Sequence, residues 1–412
     1  MTEETYDIII VGAGPAGCSC AHQLSGKGLK IAIIDKDIFP RDKICGDAIS
    51  PDVVNQFYRM DAKLGEQFKQ FPIKKGSHGI RFFAPNHNFL DLSFTKSKYT
   101  DSASFVVKRI AFDNFFFNQI KDLPDIAIYL NHKVQEISIS DEAVVVETDK
   151  KAIKGKMIIG ADGANSVVKK RLLDNKIERE HHSAGLRQYY ENVTGFHEKN
   201  HIELHFYEGI LPGYFWIFPL PDNQANIGIG MLSSEVSKRK INLKEKLADI
   251  IQHHPNVKDR FKDAKPLEPV RGFGLPMGSK KRACSGNRSL LLGDAASLID
   301  PFSGEGIGNA MRSGRIAADH ILKAVELNRF DAKFNKLYDK EIYSKMWKEF
   351  RFSYYLRKLM KHPRIFNFLL NKGSQSKAVR ILLTSILDNR DFKKSIISPS
   401  FYYKLLSSSF YK

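Results

Sequence analysis

The sequence is poor in cysteine: only Cys18, Cys20, Cys45 and Cys284 occur among its 412 residues. Four scattered cysteines are too few for a disulfide scaffold or a four-cysteine zinc site. We therefore expect a reducing, cytoplasmic setting and no bound metal.

Long apolar runs are also absent. The N-terminus begins with Met1, Thr2, Glu3 and Glu4, without the basic and apolar regions of a signal peptide. No uninterrupted apolar stretch approaches the roughly 18 to 20 residues that a membrane-spanning helix needs. The sequence thus predicts a protein that contacts a membrane surface at most and does not cross it.

Acidic residues are too few to balance the basic ones: 46 Asp and Glu face 64 Lys and Arg, a formal net charge of +18. Thirteen basic and two acidic residues fall between Arg351 and Lys412, so this segment alone carries +11. Its mixture of apolar and basic residues predicts short amphipathic helices broken at Pro363 and Gly373. Either these helices cap the fold with solvated charged faces, or they bind an anionic surface on the inner membrane face. We predict no nucleic-acid partner, because no nucleic-acid-binding motif accompanies the charge.

Apolar residues are plentiful enough for a large folded protein. Hydrophobic residues make up 42% and charged residues 27% of the chain, which is typical of a globular protein. Because one core rarely grows beyond about 250 to 300 residues, this length predicts one composite fold or two domains.

The N-terminal stretch YDIIIVGAGPAGCSCAHQL carries the clearest motif. A buried strand, IIIV, leads into Gly12-x-Gly14-x-x-Gly17 and a helix of small residues. A second strand, KIAIID, ends at Asp35. This order of strand, glycine turn, helix, strand and acid predicts a dinucleotide site, with the pyrophosphate at the helix N-terminus and the acid at the adenosine ribose.

The remaining motifs indicate a composite α/β fold. Arg109 precedes a helix, KMIIGADG runs from a buried strand into Asp162 and Gly163, and LLLGD ends in Asp294. Residues 185–275 are mainly strand-like, which predicts an antiparallel sheet. No second strand-GxGxxG-helix unit occurs, so we predict no separate nicotinamide-binding domain.

Together these motifs resemble the flavoprotein hydroxylase superfamily and, within it, the geranylgeranyl reductase family. The superfamily resemblance rests on the N-terminal fingerprint, the Asp162-Gly163 segment and LLLGDAASLIDPFSGEGIGNAM. The family resemblance rests on KICGDAISP, which is similar to that family's cysteine-glycine loop, and on YFWIFP, which is similar to its Tyr-x-Trp-x-Phe-Pro pattern. Two positions depart from the pattern: Asp35 replaces the commoner Glu, and Cys-Gly-Asp-Ala replaces a frequent glycine pair.

The resemblance implies an α/β, or α+β composite, fold. A Rossmann-like FAD-binding domain would be interleaved with an antiparallel-sheet substrate domain and followed by a helical C-terminal region. The implied FAD-binding domain comprises residues 1–75, 100–180 and 285–340; the substrate domain comprises residues 76–99 and 181–284; the basic helical region comprises residues 341–412.

The resemblance also implies FAD rather than NAD as the cofactor. By this resemblance, Arg109 would pair with the FAD phosphates or ribityl chain. Val134 would give a backbone contact to the adenine, and Asp294 would hold the ribityl or pyrophosphate end. The implied cofactor-binding residues are Gly12, Gly14, Ala16, Gly17, Asp35, Lys36, Cys45, Gly46, Ala48, Arg109, Val134, Asp162, Asp294, Gly306 and Ile307. Two alternatives stay open, that Asp294 caps a helix and that Cys45, a candidate catalytic thiol, is only a buried filler.

Tyr214, Trp216 and Phe218 are the implied substrate-binding residues. They alternate along one predicted strand and therefore share a face. That face belongs either to the core or to a cavity wall that suits an isoprenoid.

The reaction implied is the reduction of carbon–carbon double bonds in an isoprenoid or polyprenyl lipid by reduced FAD. The external electron donor, NADPH, NADH or ferredoxin, is left open. One alternative is a flavin-dependent monooxygenase or halogenase on the same fold, although the halogenase pattern Trp-x-Trp-x-Ile-Pro differs at Tyr214 and Phe218. Another alternative is a non-catalytic flavin-binding membrane adaptor.

Overall fold

The computed structural model describes residues 5–94, 104–173 and 178–375. Within these ranges the chain forms two eight-stranded sheets, one three-stranded sheet and the helices that cover them. This mixed architecture is the composite α/β fold that the sequence predicts.

The first large sheet is built around short parallel strands with apolar side chains on both faces. IAII, for example, is completely buried, as expected of a strand that is covered on both sides. The strands are β1 (Thr5–Val11), β2 (Ile31–Ile34), β8 (Ile126–Tyr129), β9 (Val134–Ile139), β10 (Val144–Thr148), β11 (Ala152–Gly160), β18 (Ser285–Gly286) and β19 (Ser289–Leu291). Their order is β18-β19-β11-β1-β2-β8, with the β9–β10 hairpin added through β11.

Ten helices are described. They are α1 (Pro15–Leu24), α2 (Pro51–Met60), α3 (Ala62–Gln70), α4 (Arg109–Asn118), α5 (Val167–Leu172), α6 (Ser233–Lys238), α7 (Leu243–His253), α8 (Ile307–Glu326), α9 (Ala332–Leu359) and α10 (Pro363–Gln375). α1 and α8 approach each other closely because Gly314 has no side chain: a Cβ there would lie 2.5 Å from the carbonyl oxygen of Ala16. Phenylalanine rings join α2, α3 and α4, and the ring centroid of Phe57 lies 4.8 Å from that of Phe68 and 5.1 Å from that of Phe116. This packing holds α4 against α2 and α3.

The second large sheet is mainly antiparallel. Its strands are β5 (Gly79–Phe83), β6 (Phe89–Ser93), β12 (His182–Glu191), β13 (Ile202–His205), β14 (Tyr214–Pro219), β15 (Gln224–Leu232), β16 (Lys265–Pro266) and β17 (Arg271–Pro276). The order is β16-β12-β15-β14-β13-β5-β6, and β17 also pairs with β12. The three-stranded sheet comprises β3 (Ala48–Ile49), β4 (Lys75–Ser77) and β7 (Ser104–Val106).

Side chains alternate along the strands of the second sheet, which gives it two apolar faces. On β14, Phe215 and Ile217 share one face with Leu247 of α7. Trp216 and Phe218 belong to a separate cluster on the opposite face. β5 and β6 extend this sheet from a distant part of the chain, and we retain the domain boundaries given above as a proposal.

The C-terminal helices agree only in part with the sequence prediction. α10 begins at Pro363, where a break is predicted, but the break predicted at Gly373 is wrong because α10 continues to Gln375. Gly373 is buried, so packing offsets the low helix propensity of glycine. Residues 376–412, which include most of the predicted membrane-binding segment, lie outside the described residues.

No helix in the described ranges combines the length and the hydropathy that crossing a bilayer requires.

Candidate functional site

A cavity of about 810 Å³ is lined by residues of both large sheets. It extends from the glycine turn after β1 past the cysteine-glycine loop to the inner face of the second sheet. All but one of the predicted cofactor-binding residues line it; Gly17 is the exception, because it lies in the first turn of α1 and packs against the backbone of Gly12.

The three glycines of the fingerprint have different roles. Gly12 has a φ of +104°, and a Cβ there would lie 2.5 Å from the carbonyl oxygen of Ala161. A Cβ at Gly17 would overlap the carbonyl oxygen of Gly12. Gly14 instead has an ordinary φ of −76°, and a Cβ there would meet only Nη2 of Arg41, at 3.5 Å. Gly12 and Gly17 therefore shape the turn, whereas Gly14 leaves open the space that a pyrophosphate needs.

Asp35 links the glycine turn to the end of β2. Its Oδ2 accepts a hydrogen bond from the backbone N–H of Ala13 at 2.8 Å, and its Oδ1 accepts one from that of Asp37 at 3.0 Å. Burial raises the pKa of Asp35, while these two N–H groups act in the opposite direction. Asp35 thus holds the turn in place as well as lining the cavity where a ribose is expected.

Two arginines share one buried carboxylate beside Gly14. Arg41 Nη1 donates to Asp113 at 2.6 Å, and Arg109 donates to Asp113 through Nε at 2.7 Å and Nη2 at 2.8 Å. Burial alone would raise the pKa of Asp113, but the two guanidinium charges hold it below its usual value. Arg41 Nε also lies 4.0 Å from the partly exposed carboxylate of Asp37. The two guanidinium groups still suit a phosphate, because their planar N–H donors match its oxygens in geometry and charge. Arg41 was not identified from the sequence, and the FAD contact of Arg109 stays a prediction.

Asp294 and the start of α8 form another part of the cavity wall. Lys43 Nζ donates to Asp294 Oδ2 at 3.0 Å. α8 begins at Ile307 with Gly306 as its N-cap, so the structure does not support Asp294 as a helix cap. Asp162, by contrast, does help to cap a helix. Its Oδ2 accepts a hydrogen bond from the backbone N–H of Val167, the first residue of α5, at 2.6 Å.

The cysteine-glycine loop packs against the aromatic strand. A Cβ at Gly46 would lie 3.0 Å from the ring of Phe218. Asn226 Nδ2 donates to the carbonyl oxygen of Cys45 and to Asp47 Oδ2, both at 2.8 Å. Tyr189 also donates to Asp47 Oδ2, at 2.7 Å. These bonds fix the loop against the second sheet.

Cys45 is not an activated nucleophile. Burial raises the pKa of its thiol, although the nearby Arg109 charge acts in the opposite direction. The thiol therefore keeps its proton at neutral pH. Its catalytic role stays a prediction.

The three aromatic residues of β14 line the cavity together. Tyr214 donates to the carbonyl oxygen of Ser303 at 2.6 Å, and Trp216 Nε1 donates to Asn226 Oδ1 at 2.8 Å. Both rings are thus held in place by hydrogen bonds. Their position favours the cavity-wall interpretation, and substrate contact by Tyr214, Trp216 and Phe218 stays a prediction.

Asp47 gives a pH-dependent expectation. Burial raises its pKa to about 6, above the value of about 3.9 in an unfolded chain. The folded protein binds this proton more tightly, so the stability contribution of Asp47 grows as the pH falls through about 6 and is complete below about 4. Asp47→Asn should abolish a gain of about 1 kcal/mol in the free energy of unfolding between pH 7 and pH 5.

Urea unfolding at the two pH values measures this difference. Asp222→Asn is the control, because Asp222 is exposed but has a similar positive φ, +58° against +67°. The same pH dependence in wild type and Asp47→Asn would contradict the assignment.

A group of three potential metal ligands also occurs in the described part of the chain. Ligand atoms of Asp91, His197 and His201 lie within 4.8 Å of one another. Arg81, however, donates to both carboxylate oxygens of Asp91, at 2.6 and 2.7 Å. The two imidazole rings are also stacked with their centroids 3.6 Å apart, which keeps a metal out of the plane of at least one ring. We assign no metal to this group.

Comparison with known proteins places the geometry in context. The model of a family described as FAD binding domain matches residues 5–326. A menaquinone reductase of Mycobacterium tuberculosis is 28% identical over 336 residues, 79% of this chain and 79% of that protein. A digeranylgeranylglycerophospholipid reductase of Thermoplasma acidophilum is 29% identical over 357 residues, 82% of this chain and 83% of that protein.

Solved structures show the same fold. A geranylgeranyl bacteriochlorophyll reductase-like protein of Thermoplasma acidophilum has a TM-score of 0.79 and 21% identity, covering 96% of this chain and 99% of its own. The halogenase PltM in complex with phloroglucinol and FAD has a TM-score of 0.73 and 17% identity, covering 98% of this chain and 90% of its own. At these identities the likeness establishes the architecture alone.

Proposed function

Because the chain belongs to the FAD binding domain family, and is thus an FAD-dependent oxidoreductase, we propose that it reduces carbon–carbon double bonds of an isoprenoid or polyprenyl lipid. The cofactor that the sequence predicts, FAD, is confirmed. The resemblance to the geranylgeranyl reductase family is confirmed as well. The type of bond reduced and the lipid substrate are our proposal.

The observation that carries the proposal is the contact between the cysteine-glycine loop and the aromatic strand inside one cavity. Gly46 lies on the side that holds the cofactor residues, and Phe218 lies on the second sheet. Beyond them the cavity continues along apolar side chains, among them Ile80, Leu204 and Phe302. An apolar space that continues from the predicted flavin site suits a hydrocarbon chain.

When bound in this cradle, reduced FAD would supply a hydride to one carbon of the alkene, while a proton would have to reach the other carbon. The residues of the chain hold the alkene, exclude water and fix its orientation. The ring faces of Tyr214 and Trp216 stabilise the positive charge that develops at the tertiary carbon during reduction. Burial raises the pKa of the Tyr214 phenol, so this group, like the Cys45 thiol, keeps its proton at neutral pH beside the cavity.

Trp216→Leu should slow reduction without removing the cofactor. Loss of the ring face removes about 0.5 to 2 kcal/mol of charge stabilisation, or roughly a two- to thirtyfold decrease in rate. The measurement is the anaerobic reoxidation of the dithionite-reduced protein by a polyprenyl substrate in a stopped-flow instrument. Trp347→Leu is the matched control, because Trp347 packs on Tyr343 of the same helix, away from the cavity. Equal rates for Trp216→Leu and wild type would remove the aromatic wall from the mechanism.

Mass spectrometry of the product distinguishes this function from its alternatives. Incubation of the reduced protein with a polyprenyl lipid should add about 2 mass units per double bond, whereas a monooxygenase would add about 16. A halogenated product would indicate a halogenase, and an unchanged lipid would favour a non-catalytic flavin-binding role. Any product other than the reduced lipid overturns the proposal.

A further inference from the structure

The last two described helices, α9 and α10, expose apolar side chains. Within the described part of the chain, eleven large hydrophobic residues are exposed, and four of them fall between residues 355 and 368. They are Tyr355 and Leu359 near the end of α9, and Ile365 and Phe368 in α10. The two aromatic rings are the most open, with Tyr355 60% and Phe368 58% exposed. Single apolar residues are normal on a surface, but four in two consecutive helices indicate a contact with another molecule.

The spacing of these four residues places them on one side of each helix, because residues three or four positions apart share a helix face. The opposite side of each helix is buried. Met360, which follows α9, and Phe366 of α10 pack in the same cluster as Trp216 of β14. Leu356, earlier in α9, lines the cavity. The two helices are thus part of the cavity wall, and their exposed sides form one outer face.

Exposed basic residues flank the apolar side chains of the outer face. They are Arg351, Lys358, Arg364 and Lys372. Nζ of Lys372 lies 5.8 Å from the ring centroid of Phe368, so charged and apolar groups are directly mixed. No acidic residue occurs between residues 351 and 375. Glu235 of α6 reaches this region, but it is paired with Lys361, whose Nζ lies 2.6 Å away. The outer face is therefore both apolar and positively charged.

The charge distinguishes between the partners that could cover this face. A second copy of the chain in a symmetric contact would bring two positively charged faces together. Residues 376–412, which follow α10, contain seven basic and two acidic residues, so this segment is also a poor counter-charge. An anionic bilayer supplies negative headgroups for the basic side chains and an apolar layer for the four hydrophobic ones.

We propose that the outer face of α9 and α10 docks on an anionic bilayer, with Ile365 and Phe368 inserted between the headgroups. The long basic side chains keep their charged ends at the headgroups while their stems lie on the apolar layer. This contact turns the part of the cavity wall that contains Leu356 towards the membrane, from which the lipid substrate is taken. Docking does not depend on the reaction catalysed, whereas uptake of the lipid rests on the proposed function.

Co-sedimentation of the FAD-loaded protein with vesicles tests the docking without turnover. Vesicles that mix phosphatidylcholine with phosphatidylglycerol should bind wild type more tightly than phosphatidylcholine alone, and added salt should weaken this binding. The triple variant Lys358→Gln, Arg364→Gln, Lys372→Gln should lose roughly 10- to 100-fold in affinity for the anionic vesicles. The double variant Ile365→Ser, Phe368→Ser should lose at least about tenfold. Flavin content and circular dichroism should stay unchanged, because all five side chains are exposed.

Matched control variants change the same kinds of side chain away from the outer face. Lys333→Gln, Lys336→Gln, Lys340→Gln removes three exposed charges from the first part of α9. Leu327→Ser, Leu337→Ser removes two apolar side chains that are 58% and 49% exposed. Both controls should bind the anionic vesicles as tightly as wild type.

Fluorescence quenching locates the inserted residues. Brominated lipids in the anionic vesicles should quench the additional tryptophan of Phe368→Trp, because its ring lies at the acyl chains. They should not quench the additional tryptophan of Leu337→Trp, which lies at the other end of the exposed part of α9. Equal quenching in the two variants would contradict insertion through the outer face.

The inference is wrong if wild type binds neutral and anionic vesicles equally, if the outer-face variants bind as tightly as wild type, or if the controls weaken binding as much as they do. A lipid-free dimer that Phe368→Ser dissociates in size-exclusion chromatography would assign the face to a second copy and overturn the proposal as well.

Uptake of the lipid is tested with a polyprenol offered in anionic vesicles or dispersed in detergent. The outer-face variants should slow anaerobic reoxidation of the reduced protein by the vesicle-borne polyprenol and leave the rate with the detergent-dispersed one unchanged. Equal rates of variants and wild type in vesicles would overturn uptake from the membrane. Failure of the proposed function is seen separately, because the protein then docks through the outer face but neither form of the polyprenol reoxidises it.

Discussion

Gly14→Leu should yield a folded protein that no longer binds FAD. The backbone at position 14 has an ordinary φ of −76°, and a Cβ there meets no protein atom closer than 3.5 Å. The backbone therefore accepts a Cβ without strain, and the rest of the leucine side chain would extend beside Arg41 into the space assigned to the pyrophosphate. We expect FAD affinity to fall roughly 100-fold or more, so that the protein is purified without colour.

Flavin absorbance and far-UV circular dichroism of the purified variant measure the two effects. Gly14→Ala should lose less affinity, in proportion to its smaller side chain. Gly185→Ala, in β12, is the control: its Cβ would lie 3.4 Å from Leu275, an ordinary contact, and it should keep one FAD per chain. A normally folded Gly14→Leu protein with full flavin content would mean that this turn does not hold the pyrophosphate.

Ile202→Trp should block the lipid end of the cavity while leaving the flavin site intact. Ile202 is half-buried and lines the cavity at the start of β13, so a larger ring at this position extends into the space assigned to the chain. Reoxidation of the reduced protein by a long polyprenyl substrate should slow at least about tenfold. FAD content should stay unchanged, because the cofactor residues lie on other elements.

The matched control is Ile251→Trp. Ile251 is also half-buried, but it packs with the cluster on the opposite face of the second sheet. The polyprenyl substrate should reoxidise the reduced Ile251→Trp protein at the wild-type rate. Equal slowing by both substitutions would show a general effect of the larger side chain, and no slowing by Ile202→Trp would remove the lipid chain from this end of the cavity.

The glycine turn and the strands around it could be predicted from the sequence because their signals are local, whereas the cofactor contacts of these residues stay a prediction. Gly12, Gly14 and Gly17 fall within one turn, and Asp35 follows at the end of the next strand. The pattern of alternating residues likewise identified β14 and the shared face of its aromatic side chains. Such patterns reflect backbone geometry over a few residues, which a single sequence displays directly.

The network that holds the cysteine-glycine loop could not be predicted in this way. Asn226 reaches Asp47 across 179 residues of sequence, and Tyr189 reaches it across 142. The one available signal was a polar Asn226 within the apolar strand ANIGIG, which suggests a buried hydrogen bond. Arg41 and Lys43 carry no such signal, because basic residues in a loop are usually solvated.

The C-terminal prediction failed for a different reason. Gly373 is a poor helix former in isolation, yet it is buried within α10. Tertiary packing decides such positions, and a propensity argument does not include it.

The most direct test of the central claim is anaerobic reoxidation of the dithionite-reduced protein by a polyprenyl lipid. Oxygen must be excluded, because it would oxidise the reduced flavin in either class of enzyme. If the protein reduces carbon–carbon double bonds, the flavin absorbance returns without oxygen and the lipid gains about 2 mass units per bond. If the flavin is reoxidised only after air is admitted, and the product then contains an added oxygen atom, the reductase assignment is wrong and the chain is a monooxygenase.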